Sequence, residues 1–311
     1  MTPTISIIIP TFNRAHIIGE TLDSIRAQTL AQWECIVVDD GSNDATEELM
    51  KTYIEDDARF HYYHRPKDRQ KGPNSCRNYG FEQSKGRYVQ WFDSDDLYHP
   101  EALEQLLSYF KDEDDAVVSK IDRIDLTTGA KMSPNHILSN QVIKDYFTGE
   151  ITYYVCGPLW KRDFLQKQPQ LFDEVIGNLD DWDFNLRMLY ANPKITYIDK
   201  AFITYRIHPN SFSKELKKIN LDEIKSDLYA RDKHIALLKQ QEDPRFYHLF
   251  VLDRIKLFYK TAMREKKSGT GYLLAKLLQR QLVLGRIGAA TRSLFVHLLY
   301  KVTGKGDLLL K

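Results

Sequence analysis

Tyr88-Val89-Gln90-Trp91-Phe92-Asp93-Ser94-Asp95-Asp96 is the stretch that decides the fold: a short strand-like run that ends abruptly in three carboxylates. In an open parallel sheet, ligands bind beyond the carboxyl ends of the strands, so an acidic cluster at such an end reads as a site. Hard carboxylate oxygens suit Mg²⁺ or Mn²⁺, and a metal held by one or two carboxylates keeps positions for substrate phosphates. The spacing alone selects nothing, because Asp112/Asp114 and Asp181/Asp183 repeat it. Position after a strand selects Asp93 and Asp95. A solvated capping loop ahead of Pro100 is the plain alternative.

Working outward, short β-branched runs alternate with helical segments. Ile5 to Pro10, Cys35 to Asp39 and Phe60 to His64 read as strands, with helices over Ile18 to Ala27 and Thr46 to Ile54. A helix from about Asn74 to Gln83 precedes the deciding strand, and one from Pro100 to Phe110 follows it. Residues 115–125 read as a further strand, and Asp180 to Tyr190 as a helix stopped by Asn192-Pro193. The rhythm predicts an α/β domain on a mainly parallel sheet flanked by helices. Past about residue 215 strand signals vanish, so the expected division is a catalytic domain over 1–215 and a helical region over 216–311.

Two more strand ends carry candidate residues, Pro10-Thr11-Phe12-Asn13-Arg14 and Asp39-Asp40-Gly41-Ser42. Ser42-Asn43-Asp44 can cap the next helix. Equally, one of the two carboxylates can accept a hydrogen bond from a base imide, which favours uracil. Arg14, Arg77 and Lys71 are candidates to neutralise phosphates.

Composition bounds the function classes. Of 311 residues, 42% are apolar and 12% aromatic, enough for a core, and a net charge of +1 gives no global pull toward nucleic acid. That average hides a division: Arg254 to Lys311 holds 13 Lys and Arg against 2 acidic residues, leaving 31 against 41 in residues 1–253. Cys35, Cys76 and Cys156 lack CxxC spacing, which suggests neither a disulfide framework nor a zinc site and fits a reducing cytosol. Met1 leads directly into a strand, without the marks of a signal peptide. No apolar run approaches the ~18 residues of a membrane span. The expected location is cytoplasmic, with the basic tail peripheral at the inner membrane face.

Six segments in order resemble the large family 2 of inverting glycosyltransferases, which have the GT-A fold. They are Ser6 to Arg14, Val37 to Ser42, Arg77-Asn78-Tyr79-Gly80 with Gly86-Arg87-Tyr88, Phe92 to Asp96, Asp180-Asp181-Trp182-Asp183 to Arg187, and Tyr205-Arg206-Ile207-His208-Pro209-Asn210-Ser211. The resemblance spans about residues 4–215. It implies donor-binding roles for Pro10, Thr11, Phe12, Arg14, Asp40, Arg77, Asp93 and Ser94, with Phe12 stacking on the base. It implies metal contacts from Asp95 and His208, a Mn²⁺ or Mg²⁺ cofactor, and a catalytic base at Asp181. The family's common Glu-Asp pair stands here as Asp180-Asp181. The implied reaction moves a sugar from a UDP-sugar to a glycan or lipid-linked acceptor.

Rival readings weaken on inspection. A sugar nucleotidyltransferase would want a glycine-rich phosphate loop after the first strand, and residues 10–14 contain no glycine. GxGxxG and GxxxxGK[ST] are absent from the sequence. A silent nucleotide-sugar or glycan-binding subunit would not need Asp95, Asp181 and His208. In the tail, Leu273, Leu274, Leu277, Leu278 and Leu282 fall near one helical face with Lys276, Gln279 and Arg280 opposite. That pattern suits an anionic membrane surface, a homo-oligomer contact or packing on protein; no nucleic-acid motif accompanies the charge.

Overall fold

The computed structural model describes residues 2–207, 220–239 and 243–304. The chain divides into two compact units, Met1–Pro209 and Asn210–Lys311.

The first unit begins with three βα steps. Strands β1 (Ile5–Thr11), β2 (Trp33–Asp39) and β3 (Phe60–His64) alternate with helices α1 (Ile18–Arg26), α2 (Thr46–Asp56) and α3 (Pro73–Gln83). Next come β4 (Tyr88–Trp91), β5 (Leu97–Tyr98), α4 (Ala102–Ser108), β6 (Ala116–Asp125), β7 (Lys131–Met132) and α5 (Val142–Thr148). The unit closes with β8 (Pro158–Lys161), α6 (Arg162–Leu165), α7 (Asp180–Tyr190) and β9 (Ile195–Ile207). Every residue of β1 and β2 is buried, which is why both read as continuous apolar runs rather than alternating ones.

The sheet order is β3-β2-β1-β4-β8-β6-β9-β5, with β7 beside β6. From β3 to β4 all pairing is parallel, as the sequence rhythm implies. Beyond β4 the sheet becomes mixed: β8 runs antiparallel to both β4 and β6, whereas β6 and β9 are parallel. The short β5 pairs antiparallel with β9.

Pro10 shows how the centre of the sheet opens. The last β1–β4 rung joins Ile8 to Trp91, and the Phe92 N–H donates to the Ile8 carbonyl. Alternation along the strand turns Pro10 toward the same side, one step past that rung, where a missing N–H breaks no ladder bond. β4 therefore leaves the sheet where the acidic cluster begins. On the other side Thr11 stays in register with Asp39. Gly80 sets the depth of α3: a β-carbon there would collide with Ile8 Cγ2, so only glycine lets the helix approach this closely.

The second unit is helical: α8 (Leu221–Leu238), α9 (Arg245–Arg264), α10 (Thr270–Val283) and α11 (Ile287–Thr303). α9 packs against α8 and α10, and α10 against α11. Several of the tail's cations are paired inside this unit. Asp227, fully buried, pairs with Arg231 and with Arg254, while Asp232 pairs with Arg280 and Lys276. Of the alternatives for residues 272–284, packing on protein holds for Leu273, Leu274 and Leu277, which are core residues, while Leu282 is exposed and Arg280, expected on the opposite face, is buried. No helix among the described residues is long and apolar enough to cross a membrane. The three cysteines are free and buried.

Candidate active site

Three neighbouring parallel strands, β2, β1 and β4, end at the same edge and deliver Asp39-Asp40, Thr11 to Arg14, and Asp93 to Asp96 there. The first two loops are laced together. The Asn13 N–H donates to Ser42 Oγ at 2.8 Å, the Asn43 N–H returns to Asn13 Oδ1 at 2.8 Å, and the Arg14 N–H reaches Thr46 Oγ1. Asn13 carries φ of 55°, the left-handed region that asparagine tolerates. Asp39 is a loop holder, accepting the N–H groups of Gly41 and Ser42 and the Tyr62 hydroxyl. Arg65 donates to Asp40 Oδ1 and fixes that buried carboxylate in place. Phe12, by contrast, is exposed, with Lys71 Nζ 4.3 Å from its ring centroid. Thr11 Oγ1 is buried and finds no hydrogen-bond partner among the described residues.

The acidic cluster gathers one oxygen each from Asp93, Asp95 and Asp96 within 4.8 Å of one another. Loss of hydration, followed by the charges of Asp95 and Asp93, pushes Asp96 well above the usual carboxylate range. Asp93 is also raised by lost hydration and by Asp95 and Asp180, with Arg77 partly offsetting both. Mutual repulsion among hard oxygen donors is the condition that a divalent cation relieves, so these residues fit Mn²⁺ or Mg²⁺. Asp95 lies 4.0 Å from Arg14 Nη2, which puts a cation beside the cluster. Ser94 is buried between its acidic neighbours.

Asp96 is the residue that strand-end reasoning quoted but left without a role. Its Oδ1 accepts the Arg206 N–H at 3.0 Å, so the carboxylate extends the pairing of β5 with β9. Arg206 in turn donates through Nε to the Asp95 carbonyl and through Nη1 to Glu20 of α1. It pins the cluster's backbone from β9. The signal lay in the segment Tyr205-Arg206-Ile207, which was read for its histidine. His208 itself lies outside the described residues.

Arg77, expected on a phosphate, is a buried residue whose guanidinium forks between carboxylates. Nη2 meets Asp93 Oδ1 at 3.0 Å, and Nη1 meets Asp180 Oδ2 and Asn74 Oδ1. Burial opposes its charge, but Asp180 and Asp93 outweigh burial and push its pKa up. The pair Asp180-Asp181 opens α7, and Arg77 thereby joins the start of α7 to the end of β4. Asn74 and Asn78 of α3 brace the approach to α7, donating to the carbonyls of Asp173, Ile176 and Phe172.

Asp181 is half-buried at this junction, with its Oδ1 accepting the Trp182 N–H at 2.7 Å. The Trp182 indole donates to the Tyr146 carbonyl, which anchors the first turn of α7 on α5. Lost hydration, then the charge of Asp180, push Asp181 up to about 7, while Arg77 works in the other direction. An ionised Asp181 is therefore a cost to the fold. Between the unfolded value of about 4 and about 7 the unfolded chain has released a proton that the folded chain still holds, so stability falls across that window. In chelator-treated protein, Asp181→Asn should match the native melting temperature near pH 4 and exceed it at pH 8. Melting scans at both pH values check this, and equal curves at pH 8 would show that Asp181 is not strained.

The family model Glycosyl transferase family 2 matches residues 6–168, a span that holds the carboxyl ends of β1, β2 and β4. The chain belongs to glycosyl transferase family 2. A Bacillus subtilis (strain 168) protein named as a glycosyltransferase, EpsH, is 28% identical over 225 residues, 70% of this chain and 64% of EpsH. The chain thus spans just under two thirds of that relative's length. Among solved structures, Staphylococcus aureus TarS residues 1–349 in complex with UDP-GlcNAc superposes with a TM-score of 0.65 at 18% identity, covering 89% of this chain and 81% of that one. The mannosyltransferase PcManGT of Pyrobaculum calidifontis, in complex with GDP-Man and Mn²⁺, superposes with a TM-score of 0.56 at 16% identity, covering 98% and 88%. At those identities the two structures speak for the fold, which is the GT-A fold of the family 2 enzymes.

Proposed function

We propose that this family 2 protein transfers a sugar from a nucleotide diphosphate sugar, a UDP-sugar in the first instance, to an acceptor hydroxyl with inversion at the transferred carbon. The observation that carries the reading is the Arg77 fork, because it makes the cluster ending β4 and the carboxylates opening α7 one site. A single displacement needs a proton acceptor on one side of the sugar and charge neutralisation on the other. Asp181, raised toward neutrality, suits the first station. Asp95, with Asp93 and Asp96 beside it, suits the second as the holder of Mn²⁺ or Mg²⁺. When bound, such an ion neutralises the charge that develops on a departing diphosphate. Arg14 stands close enough to Asp95 to share that work.

At the other end of the site, exposed Phe12 offers a ring face to a base, Thr11 a buried hydroxyl, and Asp40 a carboxylate held by Arg65. UDP-GlcNAc in the TarS complex and Mn²⁺ in the PcManGT complex support the same donor chemistry here. Calorimetric titration with UDP should therefore give binding in Mn²⁺ or Mg²⁺ and lose most of its signal in chelator. Equal affinity with and without metal would remove the cation from the mechanism.

A further inference from the structure

In the helical unit, one side of α11 is left apolar and outward. Ile287, Leu294, Phe295, Leu298 and Val302 fall within an arc of about 100° at 3.6 residues per turn. All five are between 46% and 85% exposed. The opposite side of the same helix is already used: Ala290, Ser293, Val296 and His297 are buried, Ser293 accepts from Gln281 of α10, and His297 Nδ1 bonds the Tyr259 hydroxyl of α9 at 2.7 Å. A helix packed on one side needs no second apolar side for its fold. The exposed Leu282 and Val283 at the end of α10 lead into the same segment.

The charges around this face have one sign. Between Lys266 and Gly306 the sequence contains no Asp or Glu. Lys276 and Arg280 are consumed by Asp232 within the unit, which leaves Arg286, Arg292 and Lys301 exposed on the segment that carries the apolar arc. Helical spacing sets Arg292 and Lys301 on its two flanks. A twofold contact with a second copy would set a surface whose charges are all positive against itself. An anionic lipid surface would neutralise them while the arc enters the headgroup boundary.

We propose that the α11 face, Ile287 to Val302, docks the protein on a bilayer surface rich in anionic phospholipid. The inference does not rest on the transfer reaction. Full-length protein floated with phosphatidylcholine vesicles should stay behind, float with vesicles that also contain phosphatidylglycerol, and be released as salt screens the attraction. The variant Arg286→Gln/Arg292→Gln/Lys301→Gln should lose on the order of 100-fold in partitioning. Phe295→Ser/Leu298→Ser should lose it as well, with unchanged circular dichroism because both side chains are exposed. Absence of flotation at low salt, or equal flotation with neutral vesicles, would overturn the proposal. A lipid-free dimer that Phe295→Ser/Leu298→Ser dissolves would overturn it too and give the face to a second copy. UDP titrations of the same variants report separately on the donor site, so failure of one reading leaves the other standing.

Discussion

Asp181→Asn should bind UDP with metal about as well as the native chain and transfer sugar at least about 100-fold more slowly. The amide keeps the shape and can still accept the Trp182 N–H, but it cannot take the acceptor's proton. Its environment sharpens the test. With Asp181 pushed up to about 7, the native enzyme is protonated and idle below that pH, so kcat/KM should climb as pH rises through neutrality and level off above it. The variant's residual rate should lack that rise. The experiment pairs initial rates from pH 5 to 9 with UDP titrations of both proteins. Full turnover by the variant, or an unchanged pH profile, would take the base away from Asp181. The acidic first turn of α7 would then be left with its other explanation, a favourable interaction with the helix dipole.

The centre of the parallel half was legible because β1 and β2 are buried on both faces and so write themselves as largely apolar runs. Ile5 to Thr11 and Trp33 to Asp39 have no exposed residue to interrupt the pattern. In the mixed half β6 was legible over residues 115–125, whereas β8 and β9 were not, for local reasons. β8 is four residues long and opens on Pro158, which reads as a breaker. β9 runs from Ile195 to Ile207 but carries Asp199-Lys200 in its middle, where the pairing with β6 shifts register. A charged pair inside a long strand looks like a turn until the neighbouring strand is known. In the tail, helical spacing gave the helices and left open what their leucines meet. Leu273, Leu274 and Leu277 face protein, and Arg280, expected opposite them, is drawn inward by Asp232.

The site divides along the same line. Residues at strand ends could be placed, since the end of a parallel strand is a position that sequence can locate. The contacts that hold those ends could not, because their partners are remote in the chain. Arg206 acts on Asp95 and Asp96 from 111 and 110 positions away, and Arg77 reaches Asp180 across 103. A basic residue near a phosphate site invites assignment to the phosphate; only the fold reveals that carboxylates reach it first.

Arg77 is where that difference has the largest consequence. Arg77→Met keeps most of the side chain's volume and leaves Asp93 and Asp180 facing each other without the guanidinium between them. Removing one partner of a buried ionic group costs about 3–5 kcal/mol, because the charge that remains is uncompensated. Two carboxylates are abandoned here, so the loss should lie toward the upper end of that range. Transfer should fall by about 100-fold or more as well, since the fork is what holds the opening of α7 against the end of β4. Instability alone is separable from this. In Arg77→Met/Asp180→Asn one of the two stranded charges is gone, so denaturant unfolding should recover at least about 1 kcal/mol relative to Arg77→Met, with the coupling appearing as non-additivity in the cycle. Activity should stay low, because the amide does not rebuild the bridge to Asp93. If the single variant were as stable as the native chain, the fork would not hold the site together. If the double variant recovered transfer along with stability, Arg77 would matter only to the fold. A stable double variant that remains slow is the result that assigns Arg77 to the positioning of Asp181 against the acidic cluster.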